Sequence, residues 1–152
     1  MTNGRHRHIV DRWFTDLFTR GDIAAVDELV STNFIAHGQG GSPDSHGRDA
    51  FRNWLRWYLA AFTDPEWSVH DVISDDDKAV ARYSGWTTYR GGLLDIPAAD
   101  QRVQETGILI FRISNGQVQE LWSEMSDLQV IMQLGAFPCI DRIATGGTAE
   151  NT

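Results

Sequence analysis

Apolar residues recur at helical spacing through the first part of the chain. Between His6 and Thr19 they fall at Ile9, Val10, Trp13, Phe14, Leu17 and Phe18, a wide stripe that predicts an amphipathic helix. Gly21 ends it. Asp22 caps a shorter predicted helix running to Val30, with Ile23, Val26, Leu29 and Val30 inward. Asn33 to His37 reads as a short extended piece, and Gly38 to Ser45, rich in Gly and Ser, as a loop suited to a rim or lid. A third helix is predicted from Gly47 to Phe62 on Phe51, Trp54, Leu55, Tyr58 and Phe62. Asp49 stands in its favourable first turn and Asp64-Pro65 is its stop.

The pattern then shifts to strands, predicted over Trp67–Ile73, Ala79–Thr88, Val103–Ser114 and Val118–Met125. The Asn115-Gly116 pair favours positive φ and closes a hairpin between the last two. Gly91-Gly92 opens a connection through Pro97. Ser126 or Asp127 caps a closing helix with Leu128, Ile131, Met132 and Leu134 apolar. Helices followed by a meander of strands predict an α+β fold, with three N-terminal helices packed on a curved, mainly antiparallel sheet and a short C-terminal helix. A curved sheet around a long helix leaves a conical pocket. The expected domain covers residues 1–144, with 145–152 a frayed tail.

Composition narrows the partners. The chain has 152 residues, 41% of them hydrophobic, enough for one substantial core. Its formal net charge of -8 argues against nucleic acid and anionic membrane surfaces, which need basic patches. Six Trp and seven Phe suit a bulky core, an aromatic-lined pocket, or both. Cys139 is the only cysteine, so no intramolecular disulfide forms, and it reads as structural. With no signal peptide and no long apolar run, the expectation is a soluble cytoplasmic protein. No phosphate-binding Gly-rich loop, metal-ligand spacing or nucleophile elbow is present, and His6 and His8 read as a polar start.

Three segments carry a family resemblance: Arg12 to Gly38 (RWFTDLFTRGDIAAVDELVSTNFIAHG), Gly92 to Val103 (GLLDIPAADQRV) and Gly107 to Leu128 (GILIFRISNGQVQELWSEMSDL). The chain resembles the SnoaL-like polyketide cyclases (ester cyclases), in the cone-shaped α+β barrel superfamily of ketosteroid isomerase and scytalone dehydratase. The resemblance implies a homodimer or higher homo-oligomer and a cofactor-free apolar cavity. It also implies ring closure of a polyketide-derived ester by intramolecular aldol condensation. In family cyclases an acid follows the Trp of the last strand and a His lies opposite on the preceding strand. The matching positions here hold Ser123 and Leu109, and neither side chain is a general acid or base at neutral pH.

Strand alternation places Glu105, Gly107, Leu109 and Phe111 on one face, joined across the hairpin by Gln119, Leu121, Ser123 and Met125. This face is the predicted cavity wall. The opposite face, with Ile108, Ile110, Val118, Glu120, Trp122 and Glu124, is read as a subunit interface or as a surface packed on the chain's own helices. His37, at a position where the resemblance implies a His and near neutrality in its unperturbed pKa, is the best candidate for proton transfer, or a structural His bonded to a loop. Glu105 is the candidate carboxylate, raised by burial, or a solvated strand-end acid. Tyr89 is a candidate donor to a substrate oxygen, or a strand-end aromatic. Trp13 and Asn53 are expected at the cavity mouth, their alternatives being a core aromatic and a surface amide. Asp127 reads as an N-cap, and the face of Arg82 stays open.

These readings commit to a cofactor-independent cyclase or isomerase acting on a hydrophobic, oxygenated small molecule. Its candidate catalytic residues are His37, Glu105, Ser123 and Tyr89. Trp13, Asn53, Leu109, Phe111, Leu121 and Met125 are the candidate binding residues. With Leu109 and Ser123 in place, a conformationally guided or pericyclic closure fits better than aldol chemistry. A non-catalytic binding or dimerisation module is the alternative.

Overall fold

In the computed structural model, which describes residues 4–38 and 43–136, Asn115 (φ 52) and Gly116 (φ 72) make the predicted hairpin turn. Cys139, the tail 145–152 and residues 39–42 of the Gly38–Ser45 loop lie outside the described residues. The hairpin strands, here β5 (Gln101–Ser114) and β6 (Gln117–Met125), form the middle of a six-stranded sheet. On one side of them lie β4 (Lys78–Tyr89) and the edge strand β3 (Phe62–Ser74). On the other side β1 (Val30–His37) runs parallel to β6, and the two-residue β2 (Ser45–His46) completes the sheet. The remaining pairings are antiparallel.

The sheet is longer than the apolar pattern suggests. Phe62, expected to close the third helix, already pairs with Tyr89, and Asp64-Pro65 sits at a break in register between Thr63 and Glu66. Proline removes a ladder donor, which an edge strand tolerates at a bulge. A second break, between Arg112 and Ile113, pairs Ile113 with Val118. It moves Val118, fully buried, to the inner face, correcting the expectation that Val118 shares the outer face with Trp122. Beyond a bulge, simple alternation slips by one residue.

Among the described residues four α-helices accompany the sheet: α1 (Arg7–Arg12), α2 (Ala25–Leu29), α3 (Arg48–Ala61) and α4 (Asp127–Gln133). The first predicted helix divides, because α1 continues as a π-helical stretch over Trp13–Thr19. There the Arg20 amide bonds the Thr15 carbonyl, five residues back. This wider turn places Trp13, Phe14 and Phe18 toward the sheet together, as such π segments often do at functional sites. The predicted second helix shortens at both ends. The Asp22 carboxylate accepts from the Ala24 amide, and Val30 already has extended backbone as β1 begins. At α4 Ser126 is the N-cap and Asp127 the first helical residue. Neither caps through its side chain, and the Ser126 hydroxyl instead accepts from the Thr106 amide. No helix among the described residues is long and apolar enough to cross a membrane.

Candidate active site

The inner face of β5 and β6 follows the predicted alternation above the bulge: Gly107 pairs with Met125, Leu109 with Ser123 and Phe111 with Leu121. The sheet turns these side chains toward α1, its π-helical continuation and α3, and most of the space between is filled by rings. Trp13 stacks on Phe51 at 5.1 Å between ring centroids and meets Phe111 edge-on at 5.3 Å. The filling is incomplete. A narrow cavity, open at its mouth, remains between Trp13, Phe14 and Phe18 on one side and Leu109, Leu121 and Ser123 on the other. Phe51, Trp54 and Tyr58 of α3 and Trp67 of β3 complete its aromatic wall. Phe111 lies beneath as core, fully buried.

Glu105 reaches this cavity from β5. The residue as a whole is half-buried, and burial is the main influence on its carboxyl. The Tyr83 hydroxyl donates to Glu105 Oε2 at 2.8 Å, the carboxyl's one hydrogen bond among the described residues. Burial and the charge of Asp127 push the carboxyl up, Tyr83 holds it partly down, and the result is a pKa of about 7. The Tyr83 phenol is pushed well up by its own burial and by Glu105, so it remains a donor. An acid that exchanges its proton near neutrality, in an apolar cavity and beside a fixed donor, has the properties of a general acid–base group.

Tyr83 reaches Glu105 because its cross-strand partner is Gly107. A Cβ at position 107 would stand 2.8 Å from both the Tyr83 hydroxyl and Cε1. Gly85 seats its partner Trp67 in the same way, since a Cβ there would stand 2.1 Å from Trp67 Cε3. Two glycines therefore let two cavity rings lie against the sheet.

The other candidates separate into those inside and those outside. Trp13, Leu109, Leu121, Ser123 and Met125 line the cavity. Ser123 is buried, and its hydroxyl makes no side-chain hydrogen bond to the described residues, leaving it open to a ligand. Tyr89 is elsewhere, in a second apolar cluster. Its hydroxyl donates to the Ile96 carbonyl at 2.7 Å and accepts from the Leu93 amide at 3.0 Å, which ties down the chain after β4. Asn53 is exposed and does not line the cavity. Arg82 also faces outward and pairs with Asp71.

His37 lies on the far side of the sheet from Glu105. Its ring stacks on Trp122 at 5.2 Å, and its two nitrogens meet Glu120 at 2.8 Å and Asp44 at 2.9 Å. Both contacts are donated only by the doubly protonated ring, and the Glu120 bond is the main cause of a pKa raised above the usual value of 6.5. This stabilisation is fully present below 6.5 and fades as pH rises through the higher folded value. His37→Ala is expected to lower the melting temperature at pH 6 and to have a smaller effect at pH 9. A deficit that grows with pH in thermal melts would rule out the imidazolium bridge.

A model of the SnoaL-like polyketide cyclases matches residues 8–134. The chain belongs to this family. Among solved structures it is similar to TsrD from Streptomyces laurentii, at 25% identity over 90% of this chain and 99% of that one, with a TM-score of 0.77. AclR from Streptomyces galilaeus shares 16% identity over 98% and 97% of the two chains, with a TM-score of 0.82. A SnoaL-like polyketide cyclase from Agrobacterium tumefaciens shares 19% over 84% and 98%, with a TM-score of 0.67. No curated protein sequence matches the chain. Within this SnoaL-like fold, Leu109 and Ser123 do stand directly opposite each other. The cavity's acid is instead Glu105, four residues before Leu109 on the same strand, and its partner Tyr83 is one that sequence inspection passed over. The alternation of buried Ala79, Ala81 and Tyr83 along β4, set against Gly107, was the available signal.

Proposed function

We propose that this SnoaL-like protein is a cyclase or isomerase acting on a hydrophobic, oxygenated, polyketide-type small molecule, with Glu105 as its proton-transfer group. The observation that carries the reading is the Glu105–Tyr83 pair inside an aromatic cavity, its carboxyl poised at about 7. Glu105 gives a proton to, or takes one from, the bound molecule. Tyr83 orients the carboxyl and stabilises its ionised form, and Ser123 offers a second hydroxyl to a substrate oxygen. The rings exclude water and hold a flexible substrate in a folded shape, which lowers the entropic part of a ring-closure barrier. The scheme draws only on the chain's own acid and hydroxyls, without a cofactor.

The outer face, where Ile108 and Trp86 are exposed beside half-buried Ile110 and Trp122, is the proposed contact in a cytoplasmic homodimer. Binding without turnover is the second reading, favoured by Leu109 and Ser123 at the family's acid–base positions.

The test is turnover of a panel of linear and part-cyclised polyketide-type esters and ketones, followed by chromatography and mass spectrometry. Wild type is expected to form an isomeric or ring-closed product with a pH dependence centred near 7. Tyr83→Phe is expected to lower kcat roughly 10-fold, on the scale of one lost hydrogen bond to a charged group. His37→Ala is expected to leave kcat unchanged. Saturable binding with no product from any compound favours the binding reading.

A further inference from the structure

The cavity is one-sided in its charge. Among the described residues Glu105 is the only carboxylic acid that lines it, and no Lys, Arg or His does. A second negative group, Asp127 at the start of α4, acts on Glu105 from nearby, and Tyr58 of α3 also feels the Glu105 charge. Glu105 receives one neutral hydrogen bond, from Tyr83, and no cation pairs with it among the described residues. Around it the wall is rings, among them Trp13, Phe18, Phe51, Trp54 and Trp67. Aromatic faces carry the negative end of a quadrupole, so they attract a desolvated cation and repel an anion. The chain as a whole, at -8, steers cations toward itself.

We infer that this cavity recognises positive charge, and that its ligand class is an organic monocation: a protonated or quaternary amine on an apolar body. The ionised Glu105 has left water without gaining a counter-charge, and such a cation supplies one. The ring faces accept the rest of the cationic head. A carboxylate or phosphate ligand would meet an acid and ring faces with nothing to offset its charge. The inference deepens the cyclase or isomerase reading: a substrate carrying an amine, or a transition state that builds positive charge at carbon, is held better here than an enolate. It shares the cavity with that reading but does not depend on turnover.

Three probes of similar size separate the possibilities: benzyltrimethylammonium, its neutral carbon isostere neopentylbenzene, and phenylacetate. Each is titrated into the full chain at low salt, with tryptophan fluorescence as the readout, at pH 8.5 and pH 5.5. At pH 8.5 the ammonium is expected to bind at least about tenfold more tightly than the isostere, with phenylacetate weakest. The preference is expected to shrink at pH 5.5, where Glu105 holds its proton, and in Glu105→Gln at pH 8.5. Equal binding of ammonium and isostere, tighter binding of phenylacetate, no saturable ammonium binding, or a preference unchanged by both pH and Glu105→Gln would each overturn the inference. Turnover of neutral compounds without a cation preference overturns it while sparing the cyclase reading. A cation preference without any turnover does the reverse.

Discussion

Glu105→Gln is expected to lower turnover by roughly 10²–10⁴-fold, the usual contribution of a general acid–base group, while making the protein more stable at alkaline pH. The two effects share one cause. The folded protein holds the Glu105 carboxyl at about 7, against an ordinary value of 4.5, mainly because burial disfavours the ionised form. A carboxyl raised on folding favours the native state fully only below 4.5. That contribution is lost as pH rises through 7, because the unfolded chain releases its proton first. Relative to the fully protonated limit, the raised carboxyl costs the native state on the order of 3 kcal/mol at pH 8, and on the order of 1 at pH 5, where only the unfolded chain has released the proton. Glutamine keeps an acceptor for the Tyr83 hydroxyl and carries no charge, so it removes that cost. Denaturant unfolding of wild type and variant at the two pH values checks the stability half. A variant that is less stable at pH 8, or equally affected at both, would show that Glu105 is solvated. Loss of activity with gain of stability is the signature of a residue kept for function at the expense of the fold.

Much of this architecture was legible from alternation and turn chemistry. The Asn115-Gly116 turn, the inward set of Leu109, Leu121, Ser123 and Met125, and the apolar stripe through Trp13 all follow from periods of two or of about four residues. What escaped depends on pairing between strands distant in sequence. The bulge that turns Val118 inward, and the start of β3 at Phe62, reflect ladder registers that no local window contains. The site shows the same division. Glu105 was recognisable as the acid on the inner face, but its donor sits on β4, twenty-two residues earlier. His37 and Tyr89 look like chemistry in isolation. Their hydrogen bonds, to Glu120 and Asp44 and to the chain after β4, were visible only in three dimensions.

The glycines make a test that separates position from composition. Gly107→Ala puts a methyl group 2.8 Å from the Tyr83 hydroxyl and 2.9 Å from the Glu124 carbonyl oxygen. The carbonyl belongs to the β6 backbone and yields little, so the tyrosine ring must move. Overpacking of this kind costs about 1–3 kcal/mol of stability. Its more telling effect is on Glu105. The Tyr83 hydrogen bond is what holds the carboxyl down against burial, so displacing the ring is expected to carry the Glu105 titration above 7. Tyr83→Phe removes the same bond without crowding the strand and is expected to move the titration in the same direction. Carboxyl carbon shifts in protein labelled at glutamate follow Glu105 directly, without a substrate. If Tyr83→Phe raises the midpoint and Gly107→Ala leaves it at about 7, the ring has kept its bond despite the methyl group, and Gly107 is not its seat. If both raise it, a missing side chain on β5 sets the proton affinity of the acid two positions before it on the same strand, by admitting a ring from β4.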